Sequence, residues 1–377
     1  MANSDFQAQV SFVTNLRILS VTLGEPTPFD SQGLRTITLL EGLKNRGNDV
    51  RLVSLKTGRS FSSLTYDLDK ITRSLFEYKP DLVLANTHFP AFVFAVNKFG
   101  KAPLVFDMHG SAVNEIRMLG DERGFLRARS EMLLNFVAEY FAAKLSDKIL
   151  CVSHSMIGYL RRTMKVALNK MEYVTNGVDL DLFKSSKDSG VLELRRRLGF
   201  ENKFVFGYIG GFQKWQGVEM LLAAAGLVSY QEVGFLMVGG DNTDVWRNVV
   251  KLRKMPREQL PFYYSVCDVL VLPRPKHIAT EVAAPTKFSE YVAMGKPVLV
   301  TDVGDVSSLV KRHKCGIIVH DNRPRNLVDG INAFTELSTS KLREMGRRSR
   351  RLAEEEFDWN KILANLDHTL TRLVESS

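Results

Sequence analysis

The sequence predicts an α/β protein with two doubly wound parallel-sheet domains, and three observations carry that prediction. Short runs of β-branched and apolar residues alternate with longer helical patterns, as βαβ units do when their strands are covered on both faces. The alternation stops at a polar stretch, Lys184 to Gly190, and then begins afresh. The chain has 377 residues, more than one hydrophobic core sustains, because single cores stop growing at about 250 to 300 residues.

In the first half the candidate strands are Leu16 to Thr22, Asp49 to Leu55, Asp81 to Ala85, Pro103 to Asp107, Lys148 to Val152 and Glu172 to Thr175. In the second they are Lys203 to Ile209, Gly234 to Val238, Asp268 to Leu272, Pro297 to Thr301 and Gly316 to Val319. The expected domains are therefore residues 1–184 and 185–357, with ligands at the carboxyl ends of the strands. Residues 358–377 form a third segment. There Trp359, Ile362, Leu363, Leu366, Leu370 and Leu373 recur at helical spacing, which predicts an amphipathic terminal helix. The helical pattern Phe125 to Leu145 is richer in apolar groups than a surface helix needs. Core packing is the ordinary explanation, and an interfacial membrane face is the sharper one.

Composition excludes several classes. Hydrophobic residues make up 45% and charged residues 25%, a globular balance rather than a disordered or collagenous one. Lys and Arg number 51 against 42 Asp and Glu, a net charge of +9. The excess is spread: +4 from 22 basic and 18 acidic residues in 1–180, and +5 from 29 and 24 in 181–377. Arg161-Arg162, Arg195-Arg196-Arg197 and Arg347-Arg348 with Arg350-Arg351 lie in helical patterns and read as solvated faces. No nucleic-acid motif accompanies them, so nucleic acid is not an expected partner. Cys151, Cys267 and Cys315 lack CxxC spacing, which predicts buried thiols in a reducing compartment. The first fifteen residues carry Asp5 and no basic residue, against a secretory signal, and no apolar run approaches the roughly 18 residues of a membrane span. The expected location is cytoplasmic, with peripheral contact at an anionic membrane face as a further option.

The strongest chemical constellation runs from Pro285 to Val298, PTKFSEYVAMGKPV. Thr286 is a candidate N-cap, Lys287 to Met294 is helical, and Gly295 suits a left-handed terminator before the strand at Pro297. The helix start offers backbone N–H groups to an anion and Lys287 adds a full charge, which together suit a phosphate. Glu290, one turn in, suits the diol of a sugar. After the first strand of the second half comes Gly210-Gly211-Phe212-Gln213-Lys214-Trp215-Gln216-Gly217. Glycines at a strand end admit a ligand to the backbone, and Lys214 is within reach of a phosphate. The pattern is not the dinucleotide fingerprint, which disfavours a dehydrogenase. In the first half, Asp30-Ser31-Gln32-Gly33-Leu34-Arg35 opens a helix after the first strand, and His109 stands beside Gly110 at a strand end, followed by Asn114-Glu115. Asn86-Thr87-His88 ends another strand.

Together these segments resemble the retaining glycosyltransferases of family 4, the group 1 enzymes of GT-B architecture. The resemblance runs over nearly the whole chain. It rests on Gly33-Leu34-Arg35, Arg46-Gly47-Asn48-Asp49-Val50, Asp107-Met108-His109-Gly110, Val152-Ser153-His154-Ser155, Thr175-Asn176-Gly177-Val178-Asp179 with Phe183, Gly210-Gly211-Phe212, and Glu290-Tyr291 through Gly295-Lys296-Pro297-Val298. Glu354-Glu355-Glu356-Phe357-Asp358-Trp359 is similar to the family's entry to a helix that crosses back onto the N-terminal domain.

The resemblance implies a C-terminal domain that binds a nucleotide-sugar donor and an N-terminal domain that binds a hydroxyl acceptor, such as a glycan or lipid-linked sugar. It places Glu290 on the ribose, the amides around Pro285, Thr286, Lys287 and Phe288 on the diphosphate or donor sugar, His109 near the reacting centre and Gly33 on the donor phosphate. Two departures stand out. The family commonly has an arginine after the strand-end glycine and a lysine before the next one, where this chain has Gly211 and Gln216. Many members also carry two glutamates with seven residues between, whereas Glu281 and Glu290 have eight, so Glu281 is a donor-side candidate without an inherited role. Lys287, with Lys214, is expected to supply the missing charge. Front-side attack on the donor, with the amides, Lys287 and His109 stabilising developing charge, is the expected route to retention. No cofactor or metal is expected: Asp67-Leu-Asp69 falls in a helical pattern and Asp179-Leu-Asp181 belongs to a turn. The alternatives are a nucleotide-sugar-binding protein with little catalysis and a sugar-nucleotide epimerase of the same architecture.

Overall fold

The computed structural model describes residues 15–56, 61–97, 102–119, 125–186, 189–229 and 231–377. Its strands are β1 (Arg17–Leu23), β2 (Asp49–Leu55), β3 (Leu82–Asn86), β4 (Leu104–Met108), β5 (Lys148–Cys151), β6 (Met171–Tyr173), β7 (Phe204–Ile209), β8 (Val233–Gly240), β9 (Asp244–Trp246), β10 (Val249–Arg253), β11 (Val269–Leu272), β12 (Val298–Thr301) and β13 (Gly316–Val319). Each expected strand is present within two residues, and β9 and β10 are additional. The described residues fall into two compact units: one from Met1–Asp107, Phe141–Ile149 and Leu363–Ser377, the other from Met108–Tyr140 and Leu150–Ile362.

In the first unit β1 lies between β2 and β3, parallel to both, and β3 continues to β4. Ile18, Leu19 and Val21 of β1 are fully buried, as a central parallel strand covered on both faces requires. The helix Ser31–Lys44 follows, capped by Asp30, whose Oδ1 accepts the Gly33 N–H at 2.7 Å. A Cβ at Gly33 would lie 2.1 Å from the Thr27 carbonyl oxygen, so glycine there answers a close backbone approach, and its amide is already taken. One turn in, Arg35 is buried and donates through Nη2 to Asp107 Oδ1 at 2.8 Å and through Nε to Oδ2 at 3.1 Å. The C-terminal residues pack here too: Leu363 fills the space beside Gly42, and Asn48 Nδ2 donates to Asp367 Oδ1 at 2.7 Å.

In the second unit the sheet order is β13-β12-β11-β7-β8-β10-β9. Numbered from β7, its six parallel strands run 3-2-1-4-5-6, the doubly wound order whose direction reverses between β7 and β11. Side chains alternate as a period of two demands: Val205, Ile209, Leu270 and Leu272 join one buried cluster, and Phe206, Tyr208, Val269 and Val271 join the other. β9 is a three-residue antiparallel edge whose side chains are exposed. It is too short and too polar in setting to show a buried-strand pattern. Cys151, Cys267 and Cys315 are buried thiols outside any disulfide, and burial pushes the Cys267 thiol up to about 12.

The helix Phe125–Leu145 is present with the expected bounds. Core packing explains only part of its apolar content: Ala138 and Ala142 are buried, whereas Leu133 is 65% and Phe136 47% exposed. Among the described residues no helix is long and apolar enough to cross a membrane.

Removing one partner of the Arg35–Asp107 pair would leave an uncompensated buried charge. Arg35→Met is expected to destabilise the first unit by about 3–5 kcal/mol, read as a lower denaturant midpoint for its unfolding transition.

Candidate active site

The site is built at the carboxyl ends of β7 and β11, where the strand order reverses. After Ile209 the backbone turns at Gly210 with φ +150°. A Cβ there would lie 2.6 Å from Lys287 Nζ and 2.5 Å from its Cε. A side chain at Gly210 would displace the end of the lysine, in a backbone conformation that already favours glycine. Lys287 Nζ donates to the Tyr208 hydroxyl and to Gln216 Oε1, both at 2.8 Å, and sits 4.8 Å from the Tyr208 ring centroid. Tyr208 in turn donates to the Gly211 carbonyl at 2.6 Å. Burial first, and then the nearby Arg274 charge, lower the Lys287 pKa from 10.5 to about 7, with Glu290 opposing.

Arg274 follows β11 by two residues and was not anticipated from the sequence. It is 6% exposed, Nη1 donates to the Thr280 carbonyl at 3.2 Å, and Nε has no partner. Burial lowers its pKa to about 10, opposed by Tyr208 and Glu115. Its own carbonyl accepts from Thr301 Oγ1 at 2.6 Å, which ties the segment to β12. Gly217 (φ +73°) fixes the neighbouring turn: a Cβ there would strike the Pro273 carbonyl at 1.8 Å.

The helix Thr286–Ala293 is capped one residue earlier than expected. Pro285, not Thr286, is the N-cap, and no side chain caps the first turn, since proline has no acceptor to offer. The Phe288 amide donates to the Pro285 carbonyl at 3.0 Å and the Phe288 ring packs edge-on to Phe357 in the core. The Phe288 ring thus supports the helix from the core side. Glu290 is 7% exposed and held on both oxygens: Oε1 accepts from Arg257 Nη2 at 2.8 Å and Nε at 3.1 Å, and Oε2 from the Tyr264 hydroxyl at 2.8 Å. Arg257 lies over the Phe183 ring at 4.9 Å. Arg257 and Tyr264 were missed because they stand 33 and 26 residues before Glu290 with no local signal.

His109 belongs to the same unit, in the turn between β4 and the helix Ala112–Leu119. That helix starts on Glu139, 1% exposed, whose carboxylate accepts from Ser111 Oγ at 3.1 Å and from the Ala112 and Val113 amides. Burial raises Glu139 to about 7, although these hydrogen bonds oppose it. Glu115 lies over Gly110, its Oε1 2.5 Å from the position a Cβ would take. Surrounding protein raises the Glu115 pKa, and the charges of Arg274 and His109 oppose that rise. His109, Glu115 and Arg274 therefore share one electrostatic environment.

Of the remaining candidates, Lys214 is exposed on the short turn Lys214–Gln216, and Glu281 is half-buried at the end of Ile278–Glu281. Gly211 lies at the strand end beside Gln213. Gly33 belongs to the first unit. The acidic pairs serve the backbone: Asp67 Oδ1 accepts the Lys56 amide, and Asp179 Oδ1 accepts those of Asp181 and Leu182. Among the described residues no group of three His, Cys, Asp or Glu is placed to hold a metal.

Comparison with known proteins agrees with this architecture. Residues 191–352 match the family model of the glycosyl transferases group 1, and residues 32–182 that of glycosyltransferase family 4. The chain belongs to the group 1, family 4 glycosyltransferases of GT-B type. It is 23% identical over 257 residues to D-inositol 3-phosphate glycosyltransferase 1 of Catenulispora acidiphila, covering 62% of this chain and 58% of that one. The chain spans about three fifths of the length of the curated relatives it matches, 61% and 58% in two of them. Among solved structures it is similar to sucrose-phosphate synthase from Thermosynechococcus elongatus, with TM-score 0.78, 18% identity, and 96% and 100% of the two chains covered. It is also similar to Anabaena HepE in complex with UDP and glucose, with TM-score 0.71, 19% identity, and 95% and 100% covered.

The lowered Lys287 pKa has a definite sign. Between about pH 7 and 10.5 the unfolded chain holds a proton that the folded one does not, so this group makes stability rise with pH across that window. Lys287→Met is expected to raise the melting temperature of the unliganded protein at pH 7.5, by about 2–4 °C for each kcal/mol regained, and to flatten the rise of stability between pH 7 and 9. Calorimetric unfolding at a series of pH values checks both.

Proposed function

We propose that the protein transfers a sugar from a nucleotide-diphosphate sugar to a hydroxyl acceptor with retention of anomeric configuration. One observation carries the reading: a buried ammonium, Lys287, packed against Gly210 at the switch point, with the carboxylate of Glu290 held rigidly one turn along the same helix. The cation and the first-turn amides of Thr286–Ala293 suit a diphosphate. Arg257 and Tyr264 hold the Glu290 carboxylate in place through three hydrogen bonds, which leaves about one acceptor site on it for a ribose hydroxyl. The HepE structures with UDP and UDP-glucose support a donor of this chemical class.

In the reaction the acceptor hydroxyl approaches the anomeric carbon from the leaving-group face. The bond from C1 to the phosphate oxygen breaks, the bond to the acceptor oxygen forms, and the acceptor proton passes to the departing phosphate. Lys287 stabilises charge building on that phosphate, and His109 faces the sugar as C1 becomes cationic. Charge supplied by fixed side chains makes a metal unnecessary in this scheme. The acceptor is a glycan or lipid-linked sugar, and the exposed Leu133 and Phe136 support peripheral contact with a membrane that carries it.

A thermal-shift panel of nucleoside diphosphates and their sugars tests the donor; a true donor at 100 times its Kd adds about 2.7 kcal/mol. No shift with any member would remove the reading. Glu290→Ala is expected to lower kcat/KM at least about a hundredfold, the cost of losing about 2.7 kcal/mol of binding, whereas Tyr264→Phe, which leaves the carboxylate and its Arg257 contact in place, should cost about tenfold or less. NMR of the product gives the anomeric configuration, and turnover should persist in EDTA.

A further inference from the structure

Two basic side chains, Arg274 and Lys287, are buried together at the ends of β11 and β7, and among the described residues no carboxylate is bonded to either. Lys287 touches only neutral acceptors, the Tyr208 hydroxyl and Gln216 Oε1. Arg274 spends one donor on the Thr280 carbonyl and has an unpartnered Nε, although it is 6% exposed. Burying a charge without a partner is costly, and two like charges in one place add repulsion. The arrangement makes physical sense when an anion completes it. Resting on the donor reading above, we propose that Arg274 and Lys287 form a two-cation seat for the donor diphosphate, and that Lys287 takes up a proton from solution as the anion arrives.

The groups facing Lys287 support the coupling. From β7 comes Tyr208, kept neutral because burial pushes its pKa far up. From the following turn comes Gln216, uncharged, while Lys214 is exposed to solvent. From the end of β11 comes the Arg274 cation, which disfavours a second positive charge, and on the same helix Glu290, which favours it but is already engaged by Arg257 and Tyr264. Glu115 acts on Arg274 without an ion pair. In the empty site Lys287 therefore loses its proton near neutrality. A diphosphate with two negative charges reverses the balance, because it faces both cations and raises the affinity of the amine for its proton.

Titration calorimetry of the whole chain with UDP-, ADP- and GDP-sugars, in buffers of differing ionisation enthalpy, tests this. The diphosphate of a nucleotide sugar has no proton of its own to exchange in this range. The expected result is uptake of about one proton at pH 8, falling towards zero at pH 6 where Lys287 is already charged. Lys287→Met should abolish the uptake. Arg274→Gln should weaken nucleotide-sugar binding about tenfold or more, equivalent to about 1.4 kcal/mol, and leave binding of the matching nucleoside, which has no phosphate, unchanged. A nucleotide sugar that binds without proton uptake at pH 8, or an Arg274→Gln variant that loses nucleoside and nucleotide sugar equally, would overturn the seat and leave the donor reading standing. Failure of every nucleotide sugar to bind would remove both.

Discussion

The constraint on which the second unit turns is the placement of an ammonium group inside the protein. Lys287 reaches the end of β7 past Gly210, where a side chain would displace its Cε and Nζ. It is received by a tyrosine whose ring belongs to the core of the sheet and by a glutamine from a turn that Gly217 presses against Pro273. Displacing any one of these leaves the cation without its neutral partners in a place water reaches poorly. The helix Thr286–Ala293 is fixed in turn, because Phe288, Tyr291 and Val292 on its other side are buried against the sheet. Its start and its lysine therefore have one position available.

That position follows from topology. Strand order reverses between β7 and β11, so the helix leaving one side of the sheet and the helix leaving the other diverge and open a crevice above the strand ends. Gly210 lies at one lip and Arg274 at the other. Hydrophobic alternation along β7 sends Ile209 to one core cluster and Tyr208 to the other, and the Tyr208 hydroxyl meets Lys287 Nζ and the Gly211 carbonyl. The chemistry at the site thus inherits its geometry from the requirement that a central parallel strand be covered on both faces.

The strands were legible in the sequence because their signal is local: a β-branched run between turn residues reports itself. The glycines and Lys287 were legible for the same reason, standing at strand ends and helix starts. The hairpin β9–β10 was not, since Asp244–Trp246 is exposed and its pairing with β10 leaves no periodic mark. The cap at Pro285 was misjudged because threonine is the better capping residue by chemistry, while here the backbone before the helix decides. Arg257, Tyr264, Arg274 and Glu139 could not be found by pattern at all. Each acts on a group tens of residues away, or is one charged residue in a helical or loop segment that looks solvated until the fold closes over it.

Charge is treated in opposite ways in the two units, and the contrast separates structure from function. Arg35 and Asp107 are as deeply buried as Lys287 and Arg274, but they neutralise one another directly. A fold that required only stability would give Lys287 such a partner, or a methionine. The nearest carboxylate on its own helix, Glu290, is instead turned to Arg257 and Tyr264. The anion is held in one place, the two basic side chains in another, and each is positioned before any ligand arrives. Basic groups preorganised without a counter-charge lower the stability of the empty protein and are the condition under which fixed groups act most strongly on charge that develops during a reaction.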